Sequence, residues 1–417
     1  MSQRINATMH AKKVSHRYYG ISKAPKWFYS FVPFKISTGG SSILMPLYLL
    51  QLGGNAQMVG IMNSLASLSS MIGSLFWGKL SDKTLRRKVF ILLGFLSVSV
   101  FLAGLSFTNS PVEFILLNAV YSFFLASTIS VPIVLVLRSV RKHSWNYGIG
   151  KFNEISGWAW VFGLGLGFVL SQYLTIGQLL LLFAILNIPS LIWGAKTIRE
   201  IPIYVNRKSI MIFGNYVVEK IRYVPTFMLH INLRKPKFGK FYFASFLFWI
   251  SVGMYFSQFP VLLAENGFER RYIYLAAILN SSVSAFMYLR VGLMLENRDK
   301  LKVLKEGIAL RLIGITTILI GTFIVPYLLP LAFLSYFLAG YSWSFISISS
   351  TSIVGKLAGE KEKGTAMGTF NLINSLGYII GSFSSGFLVY AGGFTANFGA
   401  SSLFALLSLM LLKKVRI

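Results

Sequence analysis

Long apolar runs separated by short polar breaks dominate this chain. Each run is about twenty residues or longer, which lets a helix rising 1.5 Å per residue cross the hydrocarbon core of a bilayer. Six predicted spans precede a long polar interruption, and six follow it: 27–51, 57–80, 89–108, 111–137, 149–172 and 177–195, then 240–264, 271–294, 306–325, 328–354, 365–390 and 393–412. The pattern predicts an all-α integral membrane protein of about twelve transmembrane helices.

Composition agrees with this pattern. Hydrophobic residues make up 55% of the chain and charged residues 12%, against about 25% charged residues in a typical soluble protein. Cysteine is absent, which excludes disulfides and thiolate metal sites, and we expect no cofactor. Residues 1–26 are polar and basic, without the apolar core of a cleavable signal peptide.

Basic residues outnumber acidic residues by 40 to 12. An excess of this size is also typical of nucleic-acid binding, but here the cations concentrate in alternate connections between apolar runs. The tail, the loops near 79–88, 138–151, 196–240, 298–311 and 356–363, and the C-terminus hold nearly all of them. The positive-inside rule then predicts a multi-pass cell-membrane protein with both termini cytoplasmic and no nucleic-acid partner.

The long polar interruption divides the chain into a predicted N-terminal bundle (1–195), a cytoplasmic basic linker (196–239) and a C-terminal bundle (240–417). Within the linker, four apolar residues recur at near-helical spacing beside lysine and arginine: Ile210, Phe213, Val217 and Ile221. This spacing indicates a basic amphipathic helix on anionic membrane lipid. A simple tether between the halves is compatible with the same residues.

The two halves match each other in register. A shift of 214 residues pairs Pro46 with Pro260, Gly53 with Gly267, Gly78 with Gly292 and Asp82 with Glu296, and a shift of 218 pairs Gly163 with Gly381. Two parallel six-span repeats are the architecture of many secondary transporters. We therefore expect two pseudo-symmetric six-helix bundles.

The connection between spans 2 and 3 carries the most specific motif, Gly78-Lys-Leu-Ser-Asp82-Lys-Thr-Leu-Arg86-Arg87-Lys88. It is similar to the loop signature of the major facilitator superfamily, which the chain resembles over its full length. A weaker copy, from Gly292 through Glu296 to Lys300, stands between spans 8 and 9. The resemblance implies a membrane transporter that works by alternating access.

The same resemblance implies a gate. Asp82 would meet the N-terminal end of span 11, near Gly364 and Thr365, while Arg86 and Arg87 hold the carboxylate in place. A helix N-terminus stabilises a nearby anion by roughly 0.3–1 kcal/mol. The alternative is a tight basic turn that only obeys the positive-inside rule.

Ionisable and aromatic groups inside spans are candidates for the transport cavity. In the family this cavity is lined chiefly by spans 1, 4, 7 and 10, which by resemblance favours Lys35, Tyr121, Trp249, Gln258 and Trp343. Helix–helix packing is the alternative for each of them, and Lys35 has the further option of snorkelling to the interface. Glu154 is a candidate for ion coupling, or simply the partner of Lys151 in a helix-surface ion pair.

These observations favour a secondary active or facilitative transporter of a small organic solute, with efflux as one direction. An anionic solute is favoured if Lys35 faces the cavity. Coupling of transport to protons is favoured if Glu154 titrates. Span 5 has no proline and span 4 has no arginine before Arg138, so the resemblance to drug/proton antiporters of the family is incomplete.

A flippase for amphipathic lipids is the alternative on this fold. A membrane-embedded enzyme is less compatible, because the acids are scattered and the four histidines lie outside the spans. We expect a monomer.

Overall fold

The fold is a bundle of helices in two halves. A computed structural model describes residues 24–84, 86–139, 145–199, 236–357 and 363–415. At several positions within these ranges, Asp82 and Arg138 among them, it describes the backbone alone. Each of the twelve predicted spans coincides with helix in the described residues. Most of the predicted linker, including the amphipathic stretch, lies outside the described residues.

The N-terminal half contains spans 1 to 6. A short 3-10 helix, Lys26–Ser30, leads into span 1, and three of the six spans are each broken into two helices. The bounds are Phe31–Ser42 with Leu44–Gln51, Ala56–Thr84, Arg87–Ser106, Pro111–Leu125 with Ser127–Ser139, Trp145–Leu170, and Ile176–Leu186 with Ile188–Thr197.

The C-terminal half contains spans 7 to 12. Spans 7 to 10 are Pro236–Glu265, Arg270–Asn297, Lys300–Phe323 and Leu328–Leu357, and spans 11 and 12 form Lys363–Lys413, which is interrupted at Gly392 and Gly393. By length and composition, seven helices of the described residues are apolar and long enough to cross a membrane. They become eight if the bent pair Arg270–Tyr288 and Arg290–Asn297 counts as one span.

Span 9 begins earlier than the predicted 306–325. Three lysines occupy the first two turns of this helix, and for that reason hydropathy alone does not assign these turns to the span. Asp299 caps this helix, since its side chain accepts a hydrogen bond from the backbone N–H of Lys302 at 2.7 Å. As a consequence Arg311, which the sequence analysis counted with the preceding basic loop, lies in the middle of a span.

The internal repeat is present in three dimensions. Gly39 of span 1 packs against the backbone carbonyl of Trp160 in span 5, and Gly253 of span 7 packs in the same way against Tyr378 in span 11. A Cβ atom at either glycine would lie 2.6 Å or 2.5 Å from that oxygen. The four residues are related by the shifts of 214 and 218, so spans 1 and 5 pack as spans 7 and 11 do.

The outer surface suits lipid. Large apolar side chains are exposed along several spans: Val100, Leu116, Ile192, Ile313, Phe383 and Leu403. A soluble bundle would bury such residues, whereas helices surrounded by acyl chains present them outward. The exposed apolar belt therefore confirms the membrane assignment made from the sequence.

Candidate functional site

In the part of the chain that the structure describes, the two halves contact each other toward one end, and the chain itself defines the two ends. The termini end is where the chain enters span 1 at Trp27 and leaves span 12 at Lys413. The far end holds the turns after spans 1 and 7, where Gly53 and Gly267 adopt φ angles of 89° and 78°. Such positive φ angles suit glycine, which has no Cβ to clash.

Spans 5 and 8 form the first contact between the halves, at the far end. The Tyr274 hydroxyl of span 8 donates a hydrogen bond to the Gly40 carbonyl oxygen of span 1 at 2.6 Å, and its ring lies against Gly167 of span 5. Nearby, Arg270 Nη1 donates to the Leu174 carbonyl oxygen at 3.3 Å. The Gly40 carbonyl is available because span 1 breaks at Ile43, and the last four carbonyls of a helix have no partner within it.

Spans 2 and 11 form the equivalent contact on the other side. A Cβ at Gly386 of span 11 would lie 2.5 Å from the Gln57 Cα of span 2, so only glycine allows this approach. The Ser64 hydroxyl donates to the Ile379 carbonyl oxygen at 3.1 Å. From span 7, Gln258 Nε2 donates to the Ala56 carbonyl oxygen at 3.0 Å.

Toward the termini end the same helix faces separate. Gly368 lies eighteen residues before Gly386 on span 11, and Gly292 lies eighteen residues after Tyr274 on span 8. On span 11 eighteen residues make about five helical turns, so Gly368 and Gly386 share a face, at points about 27 Å apart, whereas span 8 bends by 41° between Tyr288 and Arg290. A Cβ at Gly368 or at Gly292 would meet no atom of the described residues within 4 Å. In the described part of the chain, span 11 thus touches the other half at the far end, while the same face has open space around Gly368 at the termini end.

Two of the predicted cavity residues occupy equivalent positions in the two halves. Lys35 of span 1 and Trp249 of span 7 differ by 214 residues, which is the shift that relates these spans. Lys35 is half-buried, with its Nζ 5.4 Å from the ring centroid of Phe34. Trp249 meets Trp343 edge-on at 5.9 Å between ring centroids and lies 6.4 Å from Tyr378. The structure thus brings Trp249 and Trp343 together, and Tyr378 is an aromatic neighbour that the sequence analysis did not single out.

The other two predicted cavity residues are packed in this state. Tyr121 is buried in the N-terminal half, with its ring centroid 6.3 Å from that of Phe101 in span 3. Gln258 is fully buried, and its amide nitrogen also donates to Ser385 Oγ at 3.0 Å. Gln258 therefore belongs to the closed contact at the far end, and a role in solute binding stays a prediction for both residues.

Glu154 lies near the start of span 5, toward the termini end. Its carboxylate bonds the Lys151 ammonium at 2.9 Å, and 53% of its side-chain surface is exposed. An exposed pair of this kind contributes about 0–1 kcal/mol to stability. The ion-pair interpretation is therefore present in the structure, whereas ion coupling through Glu154 stays a prediction.

The gating loop is described in part. Gly78 lies near the termini end of span 2. Arg86 is exposed at the start of span 3, and Arg87 is buried. In the second half Gly292 is open to space and Glu296 is exposed. The side chains of Asp82 and Thr365 and the surroundings of Gly364 are outside what the structure describes, so the contact expected between Asp82 and the start of span 11 stays a prediction.

Arg311 is the ionisable residue that sequence reasoning missed. Its side chain is 1% exposed, between spans 7, 9 and 10. The sequence contains a pattern that could have revealed it: Ile308, Arg311 and Ile315 recur at helical spacing, and all three are buried. Among the described residues no group of three or more potential metal ligands is present.

Comparison with known proteins gives one consistent result. The family described as Major Facilitator Superfamily matches residues 30–382. An uncharacterized MFS-type transporter of Methanocaldococcus jannaschii is 22% identical over 353 residues, which is 83% of each chain. Among solved structures, a POT family transporter in complex with 5-aminolevulinic acid superposes with a TM-score of 0.73 at 15% identity, over 94% of this chain and 95% of that one. The nucleoside transporter NupG gives 0.70 at 15% identity over 94% and 97%, and a D-xylose–proton symporter gives 0.66 at 12% identity over 94% and 95%.

Proposed function

Because the chain belongs to the major facilitator superfamily, we propose that it moves a small organic solute across the membrane by alternating access, as a secondary active or facilitative transporter. One observation carries the proposal. On span 11 the face that touches the other half at Gly386 has open space among the described residues five turns away, at Gly368, and Gly292 near the end of span 8 has open space as well. A cleft closed at one end and open at the other is one of the two states that alternating access requires.

The open end faces the cytoplasm in this proposal, so the structure represents the inward-open state. Lysines and arginines of the described residues concentrate at the termini end: Lys79, Arg86, Arg87, Lys88, Lys151, Lys196, Lys240, Lys300, Lys302, Lys356 and Lys413. At the far end Glu113, Glu265 and Glu269 offset Arg270 and Arg271. The positive-inside rule places the more cationic end in the cytoplasm.

The chemistry of the cleft favours an anionic or zwitterionic solute with an apolar or planar part. Lys35 supplies a half-buried cation, and no ion pair to it exists among the described residues. Trp249, Trp343 and Tyr378 supply aromatic faces and edges at the equivalent level of the other half. A solute held between the halves would contact both groups, and it would lose one set of contacts when the halves separate.

The test begins with purified protein. A thermal-shift panel of organic acids, amino acids, nucleosides, sugars and lipophilic cations identifies binders, since a ligand that binds the folded state raises the melting temperature. The binders are then offered to proteoliposomes with and without a pH gradient. Saturable uptake supports transport, and acceleration by the gradient supports proton coupling. Lipid scrambling in liposomes without uptake of any panel member would replace this proposal with the flippase.

Lys35→Gln tests the class of solute. A charge-assisted hydrogen bond contributes about 1.5–3 kcal/mol, so we expect the half-saturating concentration of an anionic solute to rise about ten- to a hundredfold. Lys26→Gln, an exposed lysine at the entry to span 1, is the matched control and should transport normally. Equal affinity in the Lys35→Gln and wild-type proteins would remove the anionic preference while leaving transport itself intact.

A further inference from the structure

Arg311 is a cation in the middle of a membrane-spanning helix. It lies eleven residues after Lys300 at the start of span 9, which is about 16 Å along the helix axis. Its side chain is 1% exposed. A charge at this depth is costly unless something compensates it, and it marks a functional position by default.

The neighbours of the guanidinium are neutral. Nε donates to Ser342 Oγ at 2.9 Å, and Nη2 donates to the Ala339 carbonyl oxygen at 2.6 Å, both in span 10. The central carbon lies 5.4 Å from the ring centroid of Phe256 in span 7. Nη1 has no hydrogen-bond partner among the described residues. Two of the five N–H donors of the guanidinium are thus used, and both N–H groups of Nη1 lack a partner among the described residues.

No carboxylate of the described residues compensates this charge. Glu306, the nearest acid along span 9, bonds Arg298 Nη2 at 2.6 Å near the start of the helix. The tyrosines closest to the guanidinium, Tyr255 and Tyr336, are neutral hydroxyl groups, and the Tyr255 hydroxyl already bonds Ser335 Oγ at 2.7 Å. The buried positive charge therefore lacks a negative counterpart in the protein that surrounds it.

A small cleft within the C-terminal half lies near this position, toward the termini end. Its walls come from spans 7, 9, 10 and 12: Phe241, Ser245, Phe248, Trp249, Leu304, Ile308, Ile346, Ser350 and Leu412. Ile308 is one helical turn from Arg311, and Ile346 is one turn from Ser342. The cleft thus comes within about one helical turn of Arg311 along span 9 and of Ser342 along span 10.

We propose that Arg311 binds a small monovalent inorganic anion of the size of chloride, held by Nη1 within the C-terminal half. Guanidinium is weakly hydrated and exchanges water for an anion more readily than an ammonium does. Phe256, Ser342 and Ala339 occupy the other sides of the guanidinium, so the proposal is limited to a small ion. The anion neutralises the charge that joins span 9 to spans 7 and 10. This site is separate from Lys35 and from the cleft between the halves, so it does not depend on the identity of the transported solute.

The test compares chloride with gluconate, an anion too large for the site, at constant ionic strength. For the purified full-length protein we expect the melting temperature to rise with chloride concentration and then to saturate, as linkage requires for one site in the native state. Arg311→Met, which is close in size but neutral, should lose this rise. Arg290→Met should keep it, because Arg290 is exposed and lies over the Phe286 ring at 3.9 Å.

Two results would overturn the proposal. One is a wild-type melting temperature that is the same in chloride and gluconate, and the other is an equal chloride effect in Arg311→Met. If Arg311→Met does not fold, crystals of the wild-type protein grown in bromide decide the question. An anomalous peak beside Arg311 supports the site, and a bromide peak elsewhere or the absence of one contradicts it.

Discussion

The Tyr274 hydroxyl donates a hydrogen bond to the Gly40 carbonyl oxygen at 2.6 Å, and these two residues belong to different halves of the molecule. The bond exists because two local features coincide. Span 1 breaks at Ile43 and leaves the Gly40 carbonyl without a helical partner, while Gly167 leaves room for the tyrosine ring. This bond therefore forms only when the far end is closed, and it stabilises that state against the alternative.

Tyr274→Phe should shift the population of states toward closure at the termini end. A hydrogen bond of this kind contributes about 0.5–1.5 kcal/mol, which corresponds to a shift of roughly three- to tenfold. The chain contains no cysteine, so nitroxide labels at Gly150→Cys and Gly292→Cys report the opening by electron–electron distance measurement. Tyr288→Phe is the control, because that hydroxyl bonds Ser347 within one half. An unchanged distance distribution in Tyr274→Phe would show that the bond does not set the balance.

Valine at two glycines of span 11 should act in opposite directions. Gly386→Val places a side chain against the Gln57 backbone, so it should open the far end and close the termini end. Gly368→Val fits the present state, where its Cβ has open space, but it should obstruct closure of the termini end. Both variants should slow uptake, and labels at Tyr173→Cys and Tyr390→Cys, which are both exposed at the far end, should separate only in Gly386→Val. A change of the label distance in the same direction in both variants would contradict a cleft that is closed at the far end and open at the termini end.

Alanine at two glycines of span 5 should change stability with opposite sign. A Cβ at Gly163 would collide with the backbone of Ile36, and overpacking of this kind costs about 1–3 kcal/mol. A Cβ at Gly165 meets no atom within 4 Å, and alanine is favoured over glycine in a helix by about 1 kcal/mol. Thermal unfolding of Gly163→Ala should therefore begin at a lower temperature than wild type, and Gly165→Ala at an equal or higher one. Equal destabilisation by both would mean that span 5 does not pack on span 1 in this register.

Asp82→Asn should favour the state open at the termini end and reduce transport while leaving expression intact. The reason is the loss of a carboxylate at the N-terminus of span 11, which would close that end in the other state. Glu296→Gln is the matched variant in the second half, where the acid is exposed, and we expect it to change transport less. Wild-type uptake rates in Asp82→Asn would remove the gating role of this residue.

Parts of the candidate site were predictable from the sequence, and their neighbours were not. Lys35 stood out because a charge is rare inside a span, and Trp249 because the family resemblance implies that span 7 lines the cavity. Tyr274 did not stand out, because tyrosine near the end of a span is typical of the membrane interface. Only the approach of span 8 to spans 1 and 5 turns its hydroxyl into a contact between the halves.

The sequence by itself determined the number of spans, the repeat and the side of the membrane to expect for the termini. Each of these follows from a local requirement, since hydrocarbon forces every segment to satisfy its own backbone hydrogen bonds and to present apolar side chains. The tertiary structure decided which end of the cleft is closed, which glycines touch a backbone and that Arg311 is buried. Those properties depend on how helices far apart in the chain pack together, and hydropathy contains no information about that packing.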